Sequence, residues 1–382
     1  MLRKKVFKTG LILGAALLLS AITYSPLVQV VPGPGLPAPV HCMRSNNNLD
    51  IVNFDGKIFL AFRTAPNHFA GTKTRLYIVS SKDQKSWDYE AEVFMGSDMR
   101  EPRFLVLGNK LMFYYFQAGK SMVSFSPQHI FAMERKGPGD WTKPVPVFEK
   151  GCVLWRSKLV NGKPYITTYC GEGEYTGGNA KIRIFLLTTS DGYKFSPVNP
   201  GRPVIATGGS ETDFEIDGRG DLYGVIRNEA GDGKTWASKV CKAPASDIAN
   251  WSCVDTPYKP DSPLVFKHKD DIYVIGRRSL DGAYDKGARW MVEPVEGLYY
   301  LARYWWTKKR TALYKLDKDA LTLTPVLDFP SKGDTSFPGL IRQDEDHYLL
   351  YNYSSPPEGK DRVWMSGQLH KTFIYSTVIS FE

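Results

Sequence analysis

The chain has 382 residues, of which 42% are hydrophobic, 13% aromatic and 23% charged. That balance excludes general disorder and allows a large buried core. The net charge of +9 is dispersed, with no long block of like charges and no nucleic-acid-binding motif, so nucleic acid is excluded as an expected partner and a mild preference for anionic ligands remains.

At the N-terminus, Arg3, Lys4, Lys5 and Lys8 precede the apolar run Leu11–Ile22, the pattern of an export signal. Apolar character continues through TYSPLVQVV to Val31, and no small-x-small cleavage site interrupts it. Residues 1–31 are therefore expected to be a cleaved signal peptide or a retained membrane anchor, with residues 10–31 the tether in the second case. Either way the protein is expected outside the cytosol: periplasmic, secreted or anchored facing outward. PGPGLPAPV follows, and residues 32–42 read as a stiff Pro-rich linker. Five cysteines in an exported chain suggest two bridges and one leftover thiol. Cys152 and Cys170 flank one hairpin and Cys241 and Cys253 another, which makes each pair a disulfide candidate, with buried free thiols the alternative.

From residue 43 onward a short apolar strand, a polar turn and a β-branched or aromatic strand recur. The units are LDIVNFDGKIFLAFRT, EPRFLVLGNKLMFYYFQ, WRSKLVNGKPYITTYC, TDFEIDGRGDLYGVIRN, SPLVFKHKDDIYVIGRR and SFPGLIRQDEDHYLLYNY. A Trp or Phe returns late in the units, at Trp87, Trp141, Phe195 and Trp251, a spacing of roughly 55 residues that matches one four-stranded sheet. The expected fold is all-β: a six-bladed β-propeller of four-stranded antiparallel sheets over residues 43–382. Residues 280–310 form an aromatic-rich insertion in the fifth blade, expected to be an outer strand with a loop, a lid or a partner surface.

In a propeller the first strand of each blade lines the channel and the second returns antiparallel, so first-strand starts and second-strand ends meet at one mouth. The starts carry Asp50, Glu101 with Arg103, Arg156, Glu211 with Asp213, Asp261 and Asp334; the ends carry Arg63, Gln117, Arg227, Arg277 and Asn352. Such a rim of acids and arginines suits a carbohydrate or an acidic ligand, and its plainer alternative is mutual neutralisation across the axis.

Two segments, SKDQKSW (Ser81, Asp83, Trp87) and TSDGYKF (Thr189, Asp191, Phe195), resemble the Asp-box turn of sialidase-like propellers. Glu211 followed by Arg227 is similar to a Glu–Arg arrangement in sialidases. That resemblance implies that Glu211 polarises a nucleophile and that Arg227 grips a substrate carboxylate. The sialidase Arg-Ile-Pro motif is absent from the first blade, and Phe337 stands where the resemblance implies a nucleophilic tyrosine.

Glycoside hydrolysis needs two carboxyl groups with separated pKa values. The expected pair is Glu211 and Glu101, with Asp213 as substitute. Arg63, Arg103, Arg156, Arg227, Arg277, Asp50, Asp261 and Asp334 would bind an acidic or hydroxyl-rich glycan, with Tyr353 stacking on the sugar. A non-catalytic glycan- or protein-binding propeller is the alternative. The six histidines show no metal-ligand spacing and no phosphate loop or nucleophile elbow occurs, so no metal and no cofactor are expected. A monomer is expected.

Overall fold

The computed structural model describes residues 21–120, 126–171, 182–228, 235–285 and 292–382. Six antiparallel sheets ring an axis. The first is Ser45–Phe54, Lys57–Ala65, Arg75–Ser81 and Asp88–Val93 in that order, and the next four repeat the meander. The six hairpins read from the sequence are the inner strand pairs of the six blades. Middle strands such as Lys110–Gly119, KLMFYYFQAG, are nearly continuous apolar runs because neighbouring blades cover both faces; Leu111 to Phe116 are all buried. Outer strands such as Asp88–Val93 mix exposed and buried positions.

The recurring aromatics seal the blades. Trp87 packs edge-on against Tyr351, Trp141 against Phe113 and Phe195 against Tyr114. Trp251 lies on Gly224, where a β-carbon would come within 2.5 Å of the indole, so glycine is required there by close approach.

Both Asp-box segments form the expected turn. Ser81 Oγ donates to Asp83 and to Ser86 O, while Asp83 Oδ1 accepts the N–H groups of Lys85 and Ser86. Asp191 Oδ1 likewise accepts from Tyr193 and Lys194, and Thr189 Oγ1 accepts from Gly192. These turns lie between third and fourth strands, away from the channel, and serve structure.

The fold begins earlier than residue 43. Ile22–Tyr24 and Val28–Val31 pair with the last strand, Phe373–Phe381, and supply the fourth strand of the sixth blade. The run taken as the end of an anchor is β-branched strand, with Val30 and Val31 buried; a continuous apolar run does not by itself separate the two. Residues 32–42 are laid along the first blade: Gly35 O accepts the Trp87 N–H at 3.0 Å, and Leu36, Val40 and Cys42 pack on the core. The basic and apolar residues 1–20 lie outside the described residues. Among the described residues no helix is long and apolar enough to cross a membrane. A chain started at residue 43 should unfold at markedly lower urea concentration than one started at 21, since it lacks the closing strand; equal midpoints would contradict the pairing.

Cys152–Cys170 and Cys241–Cys253 are disulfides, each across paired strands, and Cys42 is free. Replacing Cys152 and Cys170 together by Ala should cost about 3 kcal/mol, by the chain-entropy relation for a loop of this size, measured by urea unfolding.

Among its described residues the insertion holds a helix in place of the expected outer strand. Residues 280–310 contain the helix α1, Glu293–Trp305, with Pro at its start, where a missing N–H is harmless. Tyr300 and Tyr304, four residues apart on one face, pack with Trp236, Tyr284 and Trp364 at the rim.

Candidate functional site at the propeller mouth

The inner strands begin at one face of the disc, and there the ladders are irregular. Register shifts fall between Asn47 and Leu49, Arg100 and Arg103, Leu154 and Arg156, and Lys332 and Thr335. Asn48, Glu101, Ser262 and Ser336 have φ of 37°, 51°, 54° and 79°. An extra left-handed residue bends the strand and re-aims its side chains, and strain of this kind gathers at functional sites.

Glu101 and Glu211 are brought together by this geometry. Glu101 accepts from Asn48 Nδ2 at 3.1 Å. Burial pushes its carboxyl up to about 7; the charge of Glu211 adds to the rise, against Arg103, Arg100 and the Asn48 hydrogen bond. Glu211 takes an Arg227 guanidinium N–H on one oxygen and the Ser262 N–H on the other at 2.7 Å. Arg227 Nε also lies 3.0 Å from Asp261. Burial opposes ionisation of Asp261, but Arg227, Lys259 and Arg277 hold its carboxyl below the usual range. Arg277 donates to Thr335 O, Ser336 O and the Tyr304 hydroxyl.

Because Glu101 in the folded chain keeps a proton that the unfolded chain releases above about 4.5, the stability it contributes is present at low pH and lost as pH rises through about 7. Glu101→Gln should therefore be more stable than the parent at pH 8, by up to about 3 kcal/mol, and close to it at pH 4, measured by urea unfolding at both.

Across the mouth, Asp334 is fully buried, accepts the Tyr353 hydroxyl at 2.9 Å and lies 2.7 Å from His68 Nδ1. Sequence reasoning missed His68, which sits in the loop after a second strand; Asn48, which precedes the first apolar strand read from the sequence; and Tyr304 on α1. His68 lies five residues past Arg63 in the loop TAPNHFAGT, beyond the strand ends that define the rim, and no pattern in that loop marks it.

Other rim candidates lie deeper. Arg63 is wholly buried behind the mouth, paired with Asp98 at 2.7 Å. Arg103 donates to Leu49 O and Trp155 O, lies 4.0 Å from Asp50 and covers the Phe337 ring. Asp50 and Asp213 staple neighbouring blades, accepting the N–H groups of Phe104 and Val265 at 2.8 Å. Asp213 also holds Lys158 at 2.8 Å and Arg156 at 3.3 Å, so its oxygens are engaged by cations and by a backbone N–H. Asp50, Arg156 and Asp213 line a channel cavity of about 690 Å³ formed with the far halves of the inner strands. Strand alternation picks a face and says nothing of depth, which is why one rim was read where there are two layers.

No family model matches the chain, and no curated protein matches it. Solved structures do. A protein of unknown function from Dyadobacter fermentans superposes with a TM-score of 0.63 at 13% identity, over 94% of this chain and 99% of its own. Trypanosoma rangeli sialidase superposes with a TM-score of 0.57 at 13% identity, over 88% of this chain and 55% of its own. The fold is a six-bladed β-propeller, similar to that of the sialidase. At these identities the likeness concerns the fold alone, and the chain spans about half the length of that sialidase.

Proposed function

We propose that this propeller is a glycoside hydrolase, with Glu101 giving a proton to the leaving oxygen and Glu211 balancing the positive charge that develops on the sugar ring. The observation that carries the reading is a buried carboxyl raised to about 7 beside a second carboxylate pinned by Arg227 and the Ser262 N–H. The neighbouring sialidase fold supports a carbohydrate-active mouth by analogy.

The substrate class follows from which charges are already engaged. Arg227 and Arg277 are committed to Glu211, Asp261, backbone carbonyls and Tyr304, so a hydroxyl-rich glycan fits better than one gripped by its carboxylate. Asn48 Oδ1, Ser210 Oγ and Ser336 Oγ, buried at the inner-strand starts, have no partner among the described residues, and hydroxyl groups would satisfy such atoms. The reading needs no cofactor, metal or nucleic acid and takes the protein as a monomer. Two disulfides fit an oxidising compartment and hence export, with residues 1–20 as signal or tether.

Incubation with a glycan library, following binding and reducing-end release together, tests the reading. Release of reducing ends supports hydrolysis; tight binding without release makes the protein a binding module instead.

A further inference from the structure

The geometry points to His68 as the catalytic base of this mouth, the residue that activates water opposite Glu101. This rests on the hydrolase reading and adds a residue, a role and a stereochemical outcome to it.

The residue is held through its backbone and through Nδ1 of its ring. Its backbone N–H donates to Gln368 O at 3.1 Å and its carbonyl accepts from Arg100 at 2.8 Å, which ties the loop to the sixth and second blades. Nδ1 lies 2.7 Å from Asp334 Oδ2 and 3.1 Å from Asn47 Nδ2. Asn47 Oδ1 accepts from Arg63 at 3.2 Å, which sets its amide orientation, and Asn47 Nδ2 donates to Ser45 Oγ at 3.0 Å. The Nδ1 proton therefore goes to Asp334, which is itself held by the Tyr353 hydroxyl. In that tautomer Nε2 carries the lone pair.

Nε2 has no partner among the described residues, and the side chain keeps 13% of its surface exposed. Asn47 touches His68, and the next residue, Asn48, touches Glu101, so base and acid flank the same pair of residues. The charged and titratable groups around the ring are Asp334, Tyr353, Arg100 and Arg63. Burial lowers the imidazole below its ordinary value more than Asp334 raises it, and Arg100 and Arg63 add to the lowering; a neutral ring at neutral pH is what a base requires.

The step balances. Nε2 takes one proton from water as the water oxygen bonds to the anomeric carbon; the glycosidic C–O bond breaks, and the leaving oxygen takes the Glu101 proton. The imidazolium and the Glu101 carboxylate then return to their starting states by exchange with solvent. Water attack on the face opposite the leaving group inverts the anomeric carbon.

The test uses the whole protein and the first substrate it cleaves from a panel of 4-nitrophenyl glycosides and natural oligosaccharides. Proton NMR of the first-formed product should show inversion, and His68→Ala should lose turnover about 10²–10⁴-fold, with partial recovery in added imidazole. Nitrogen-15 NMR of the protein without substrate should show the Nδ1–H tautomer for His68, a readout that needs no variant. Retention of configuration, an Nε2–H tautomer, or full turnover in His68→Ala would each overturn the role of His68 while leaving Glu101 as acid. Full turnover of a natural oligosaccharide by Glu101→Gln takes Glu101 out of the acid's role and overturns the pairing proposed here, whereas no cleavage across the panel overturns the hydrolase reading and this inference with it.

Discussion

Glu101→Gln is expected to lower turnover of a cleaved glycan about 10²–10⁴-fold while leaving its binding nearly unchanged. The amide keeps the size of the side chain and a carbonyl oxygen for Asn48 Nδ2, but it has no acidic proton for the leaving oxygen. A substrate with a good leaving group, such as a 4-nitrophenyl glycoside, should suffer less than one with a sugar leaving group, because it needs less protonation. Equal losses on both would take Glu101 out of the acid's role. For the parent protein acting on such a substrate, turnover should also fall as pH rises past about 7, where Glu101 gives up its proton.

The second large effect concerns stability. Arg63 and Asp98 are both fully buried, and Nε and a terminal N–H of Arg63 reach the same Asp98 oxygen at 3.0 and 2.7 Å. Arg63→Met should destabilise the fold by about 3–5 kcal/mol, because Asp98 then stays in the interior without one of its two cations. Asp98→Ala should cost a similar amount, and the double variant less than the sum, since removing both charges leaves neither stranded. Additive losses in urea unfolding would show that the two side chains do not act as a pair. Arg63 also donates to Asn67 O and Phe69 O on either side of His68, so Arg63→Met should loosen the loop that holds the proposed base.

How far the sequence foretold these features depends on how local their causes are. Hairpins, Asp-box turns and sealing aromatics were legible, because turn residues and strand periodicity act within about ten residues. Depth along the channel was not: Asp213 lies on the strand Thr212–Ile216 and Glu211 just before it, and both accept an N–H from the neighbouring blade, yet Glu211 acts on the Glu101 carboxyl while Asp213 lines the deeper cavity. The bulges at Asn48 and Glu101 break the strand alternation on which a depth reading would rest. The α1 helix was missed because its inward face is built from Tyr300 and Tyr304, residue types that equally suit a strand. His68 gains its meaning from Asp334, far away in sequence, and no local pattern announces such a meeting.

Pairing between Val28–Val31 and Phe373–Phe381 has a consequence for biogenesis. The segment translated early must wait, single and apolar, until its mate leaves the ribosome. Until that moment the nascent polypeptide is an open arc with raw β-borders at both extremities, the shape most prone to join a second copy of itself. Latching the two ends together removes those borders in one act, so this last docking event is expected to protect the newborn molecule from aggregation.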